Sequence, residues 1–251
     1  MEEDILKFTN YVKDNYDTNN KLIKLKYVHT LSVVEIILKL ASEMHLNDED
    51  TILAFYIALF HDLGRFKEVV RQQIFNNLKF DHGAYSDKIL FNDGFIKEFD
   101  IDPKDYLLIK KAIYFHNKKE INRNLNYREQ FFCDLIRDAD RIDIIRVITE
   151  EYPNSLVFDQ VTPSVLVKYI KGEPMEIKEL KTKADRVLLR LNFIKQFSFE
   201  ESFRVLKECG YLEKFLNNVK VSDENIDLFN EIKKDINEYI KGDDKYVRQK
   251  V

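Results

Sequence analysis

The chain has 251 residues, 45% hydrophobic and 33% charged, which is enough apolar material for a large folded core. Lys and Arg number 40 against 44 Asp and Glu, giving a formal net charge of −4; this excludes a general nucleic-acid-binding surface, which needs clustered positive charge to neutralise phosphates. The 2 cysteines, Cys133 and Cys209, exclude a disulfide framework.

The opening segment MEEDILKFTNYVKDN is acidic and amphipathic, and it lacks the basic start and continuous apolar run of a secretion signal. No window reaches the roughly 18–20 apolar residues that cross a bilayer. A cytoplasmic location with no membrane partner is therefore expected. Only 6 glycines and 4 prolines interrupt the chain, and apolar residues recur at helical spacing, so the expected fold class is all-α.

In chain order, the first clear helix is predicted at about Lys26–Met44, ending near HLND, with Asp48 as the cap of the next helix. That next helix, ILAFYIALFHDLG, is apolar on nearly all sides and reads as central and buried, with Gly64 ending it. An amphipathic piece, FKEVVRQQIF, and a polar loop, NNLKFD, follow. A helix from about His82 runs through HGAYSDKILF to NDG, and Pro103 opens another that ends at His116. After the polar stretch KKEINRNLN comes a long helix, REQFFCDLIRDADRIDIIRVITEE, in which Cys133 reads as a buried thiol. Pro153, Pro163, Gly172 and Pro174 mark a looser zone. Three helical segments follow: KELKTKADRVLLRLNFIKQF, FEESFRVLKECGYLEKFLNNV and DENIDLFNEIKKDINEYIKG, with the tail DDKYVRQKV expected to fray. The predicted organisation is a metal-binding helical domain over 1–151 and a helical extension over 152–251 packed on it, with a single domain as the alternative.

The chain has 5 histidines. His61 is followed at once by Asp62 at the end of the most apolar helix, where burying an imidazole and a carboxylate without partners costs several kcal/mol. A divalent cation would satisfy both. His29, His82, His116 and Asp140 lie in or at the ends of other helices, and helical bundles build metal sites from such inward-pointing side chains. Each also has an ordinary reading as a surface or hydrogen-bonded residue, and His45, near a helix C-terminus, has no other. Asp138, Asp140 and Asp143 read equally as a solvated acidic face. Asp140 and Asp143 share a side of their helix while Asp138 points elsewhere, so the three cannot all hold one ion.

The order His29, then His61-Asp62, then Asp140 resembles the signature of the HD-domain superfamily of metal-dependent phosphohydrolases. HDLGRF, DHGAYSDKIL and DADRID resemble a bacterial branch of it, and the likeness covers roughly residues 20–150. It implies an HD-domain helical bundle with additional C-terminal helices. It further implies a first ion on His29, His61, Asp62 and Asp140, and, in two-metal branches, a second that adds His82 and His116 with Asp62 bridging. Asn117 stands where many two-metal members carry a further histidine, so one or two ions are expected, with His82 and His116 otherwise binding phosphate or donating protons. Fe, Mn, Co, Ni, Zn and Mg are the candidate metals.

The resemblance implies hydrolysis of a phosphate ester or anhydride in a nucleotide or other small phosphorylated substrate. A metal lowers the pKa of bound water from about 15.7 towards 7. Arg65, Lys118 and Arg141 are candidate partners for developing phosphoryl charge, Arg141 reading rather as solvated surface. Asp143 is a candidate general base or a partner to a ligand histidine. The competing readings are an HD-type di-iron oxygenase and a non-catalytic nucleotide-binding regulatory protein. The C-terminal helices are expected to shape the substrate pocket or a homodimer contact.

Overall fold

The computed structural model describes residues 1–72, 80–118 and 124–242. The predicted polar loop NNLKFD lies mainly outside them, as do parts of FKEVVRQQIF and KKEINRNLN and the tail expected to fray. Among the described residues there are twelve α-helices, joined in places by single turns of 3₁₀ helix and by one π-helical turn at Lys88–Asn92, and strand is confined to two residue pairs. The fold class is all-α, as the periodicity requires.

The chain divides into two compact units, Met1–Asp143 and Ile144–Val251. The first contains α1 (Glu2–Asn15), α2 (Lys21–Glu43), α3 (Asp48–Phe60), α4 (Leu63–Gln72), α5 (His82–Asp87), α6 (Tyr106–Phe115) and most of α7 (Tyr127–Glu151). Helix α2 begins five residues before the predicted Lys26, because the Asn20 side chain accepts from the backbone N–H groups of Leu22 and Ile23 and starts the helix there. The cap of α3 is Asn47, which accepts from Asp50 N, and not Asp48. Every residue from Leu53 to Phe60 is buried, so α3 is the apolar axis against which α2 and α6 pack. Phe60, Phe95 and Phe99 meet edge to face beside it.

Gly64 does not end α3 in a left-handed conformation; it lies inside α4. It is glycine because α5 passes directly against it. A Cβ there would meet His82 O at 2.2 Å and Ser86 N at 3.0 Å. Gly64 N donates to Ser86 Oγ at 2.8 Å, and that hydroxyl donates to His61 O at 3.0 Å. These bonds lock α5, through Ser86, to the turn that carries His61 and Asp62.

The second unit holds the end of α7 with α8 (Pro163–Lys171), α9 (Lys183–Lys195), α10 (Glu200–Glu208), α11 (Tyr211–Asn218) and α12 (Ile226–Lys241). Helix α8 lies in what the sequence marks as the looser zone. Gly210, at φ +66, splits the predicted single segment into α10 and α11. Asp185 is fully buried and accepts from Thr162 N, Thr162 Oγ1, Lys181 N and Thr182 N, tying the loops before α8 and α9 together. A short parallel pairing of Val157 with Lys220 and Phe158 with Val221 completes the unit.

Candidate metal centre

All of the candidate ligands fall in the first unit, on five different helices or their ends. His29 projects from the middle of α2 and Asp140 from α7; His61 and Asp62 form the turn between α3 and α4; His82 is the first residue of α5; His116 follows the last residue of α6. Their donor atoms form two groups. Atoms of His29, His61 and Asp140 lie within 4.8 Å of one another, and so do atoms of Asp62, His82 and His116.

Asp62 joins the two groups. Its Oδ2 lies 3.5 Å from His29 Nε2 and 3.6 Å from His61 Nε2. Its Oδ1 lies 3.6 Å from His116 Nε2 and 3.7 Å from His82 Nε2. Each carboxylate oxygen therefore faces two imidazole nitrogens. Asp140 Oδ1 lies 3.1 Å from His29 Nε2 and 4.0 Å from His61 Nε2, closing the first group.

The far nitrogen of three of the four rings meets an oxygen, and that of His82 lies 3.2 Å from Asn117 Nδ2. His61 Nδ1 donates to Ala58 O at 2.7 Å, His116 Nδ1 donates to Ile113 O at 2.6 Å, and His29 Nδ1 meets Asp143 Oδ2 at 2.6 Å. These bonds leave Nε2 as the ligating nitrogen. His61 Nε2 is buried and has no hydrogen-bond partner among the described residues. His82 Nε2 and His116 Nε2 face each other at 3.2 Å. A buried nitrogen without a partner is costly, and a divalent cation satisfies it. The mixed imidazole and carboxylate donors fit Fe, Mn, Co, Ni or Zn better than Mg.

Burial presses the His61 imidazole down to about 4, against the pull of Asp62 and Asp140. Burial and the Lys26 charge also oppose a proton on His29, but the carboxylates of Asp140, Asp143 and Asp62 outweigh them and push it up to about 10. Burial works to raise the Asp62 and Asp140 carboxyls. Lys26 and His61 beside Asp62, and His29 and His61 beside Asp140, hold both well below the usual carboxylate range. His82 is held well below its ordinary value, by burial first and then by Arg65.

The candidate cations divide. Arg65 Nε reaches to 3.7 Å from Asp62 Oδ1, while its Nη1 donates to the buried Glu68 at 2.6 Å. Lys118 pairs with Asp81, the cap of α5, and lies over the Tyr114 ring. Arg141 is not the solvated charge expected from sequence: its side chain is 13% exposed, lies 3.8 Å from Asp138, and burial lowers it to about 10. Nor do Asp138 and Asp143 form a solvated face, since both are fully buried.

Three contributors escaped the sequence reading. Lys26 Nζ donates to Asp62 Oδ2 at 2.8 Å. Ser32 Oγ donates to Asp143 Oδ1 at 2.5 Å. Both lie three residues from His29, one turn up and one turn down α2, and that spacing was the available signal. Arg137 Nη1 donates to the carbonyls of Phe115, His116 and Lys118, fixing the end of α6 where His116 sits.

No curated protein matches the chain, and no solved structure matches it. The model of one family, the HD domain, matches residues 27–146, a span that contains every residue of both donor groups. The match identifies residues 27–146, the stretch that carries both donor groups, as an HD domain.

Proposed function

We propose that this chain is a metal-dependent phosphohydrolase that cleaves a phosphate ester or anhydride in a small phosphorylated substrate, with a nucleotide as the leading candidate. The observation that carries the reading is Asp62, a buried carboxylate with two imidazole Nε2 atoms facing each of its oxygens. His29, His61, Asp140 and Asp62 would hold one divalent ion, and Asp62, His82 and His116 a second. A divalent ion supplies Lewis acidity and a water acidic enough to ionise near neutral pH.

The protein's own groups then complete the site. Arg65 and Lys26 flank opposite oxygens of Asp62, so positive charge stands on both sides of the carboxylate. Such charge is what a phosphoryl group needs as negative charge builds on its oxygens. Glu68 fixes the Arg65 fork, which lowers the cost of orienting it. Lys118, committed to Asp81, orients the start of α5 in this scheme.

The test is metal content and phosphate release from a panel of nucleotides with Mn²⁺, for the wild type and for His61→Ala and Asp62→Ala. Both variants are expected to lose bound metal and turnover together. A variant keeping full metal and full rate would sink the proposal. Oxygen consumption with an organic substrate, and no phosphate release, would replace it with the oxygenase reading.

A further inference from the structure

His29 is held differently from the other histidines of the centre. His61 and His116 each donate Nδ1–H to a carbonyl three residues earlier, a backbone group supplied by the end of their own helix. His29 sits in mid-helix, where the carbonyls of the preceding turn already accept backbone N–H groups. Its Nδ1 instead meets Asp143 Oδ2 at 2.6 Å, and Ser32 Oγ holds the other oxygen at 2.5 Å. Asp143 is 0% exposed. It lies one turn beyond Asp140 on α7, so one helix face presents both a ligand carboxylate and the carboxylate behind a ligand histidine.

We propose that Asp143 is a positioning residue: it keeps a proton on His29 Nδ1, aims Nε2 at the first donor group, and sets the affinity of the ion held there. The assignment rests on the metal-centre reading given above. An anionic acceptor binds an N–H more strongly than a carbonyl does, and it makes the opposite ring nitrogen a better donor. The same geometry removes Asp143 as general base. Its oxygens are turned to His29 and Ser32, and it has no exposed surface from which to meet a reacting water.

The experiment measures Mn²⁺ affinity by chelator competition, the visible spectrum of the Co²⁺-loaded protein, and kcat at saturating metal, for the wild type, Asp143→Asn and Ser32→Ala. Asparagine keeps the shape and can still accept from Nδ1, but it lacks the charge. Asp143→Asn is expected to weaken the tighter Mn²⁺ site by about 10–100-fold, with a shifted Co²⁺ spectrum and kcat recovered at saturating metal. Ser32→Ala is expected to weaken it several-fold in the same direction, and it decides the matter if Asp143→Asn fails to fold. Unchanged Mn²⁺ affinity in the folded variants would overturn the proposal. So would unchanged affinity with a collapsed kcat in Asp143→Asn, which is the signature of a base. A wild type that binds Mn²⁺ and releases no phosphate would sink the hydrolase reading alone and leave this assignment standing.

Discussion

Two carboxylates of the centre occupy unequal positions, and that inequality is measurable. Asp62 faces four imidazoles through two oxygens, whereas Asp140 faces only His29 and His61. Asp140→Asn should therefore empty the first donor group and spare the second. Asp62→Asn should weaken both, because it removes charge from the one residue they share. Elemental analysis after dialysis against sub-stoichiometric chelator checks this, and equal metal loss from the two variants would contradict the bridging arrangement. The six candidate ligands were legible because chemistry restricts the residue types and the order of His29, His61-Asp62 and Asp140 is informative. Lys26, Ser32 and Arg137 were not, since a lysine, serine or arginine on a helix is ordinarily surface. Only the three-dimensional meeting of α2 with the α3–α4 turn and with α7, and of α7 with the end of α6, gives these side chains a partner.

At the scale of elements, the helices with long apolar periodicity were readable, while short-range features were not. Helix α3 declared itself by eight consecutive buried residues, Leu53 to Phe60. The two-residue strands are too short to show any alternation. Gly64 shows why a breaker in a sequence is ambiguous, since the same residue serves a helix end or a close approach. Its role here makes a prediction. Gly64→Ala places a methyl 2.2 Å from the His82 carbonyl, which is backbone and cannot rotate away. Helix α5 must shift, at about 1–3 kcal/mol for overpacking of this kind. His82 moves with it, whereas His29, His61 and Asp140 lie on other elements. The variant should melt several degrees lower and lose affinity for the second ion more than for the first. Titration with Mn²⁺ alongside thermal unfolding tests both parts, and an unaltered second step would mean that α5 accommodates the methyl without moving His82.

For the molecule as a whole, the question is whether the ions build the fold or only use it. No described helix is long and apolar enough to cross a membrane. The first unit buries Phe8, Phe55, Phe60, Phe66 and Phe132 almost completely. The second unit buries Phe158, Tyr169 and Phe215, and neither donor group draws on it. Chelation should therefore leave the helical circular-dichroism signal intact. Stability should fall only by the binding free energy, about 2.7 kcal/mol per site for an ion present at 100 times its Kd. At roughly 2–4 °C per kcal/mol for a domain of this size, the midpoint should drop by about 5–10 °C per ion. Hydrogen exchange locates the effect: metal should slow exchange in α2, in the α3–α4 turn and in α7 up to Asp143, and leave α9 and α12 unchanged. Loss of the helical signal on chelation would mean that the cation, and not the aromatic core, brings α2 and α7 to the His61–Asp62 turn.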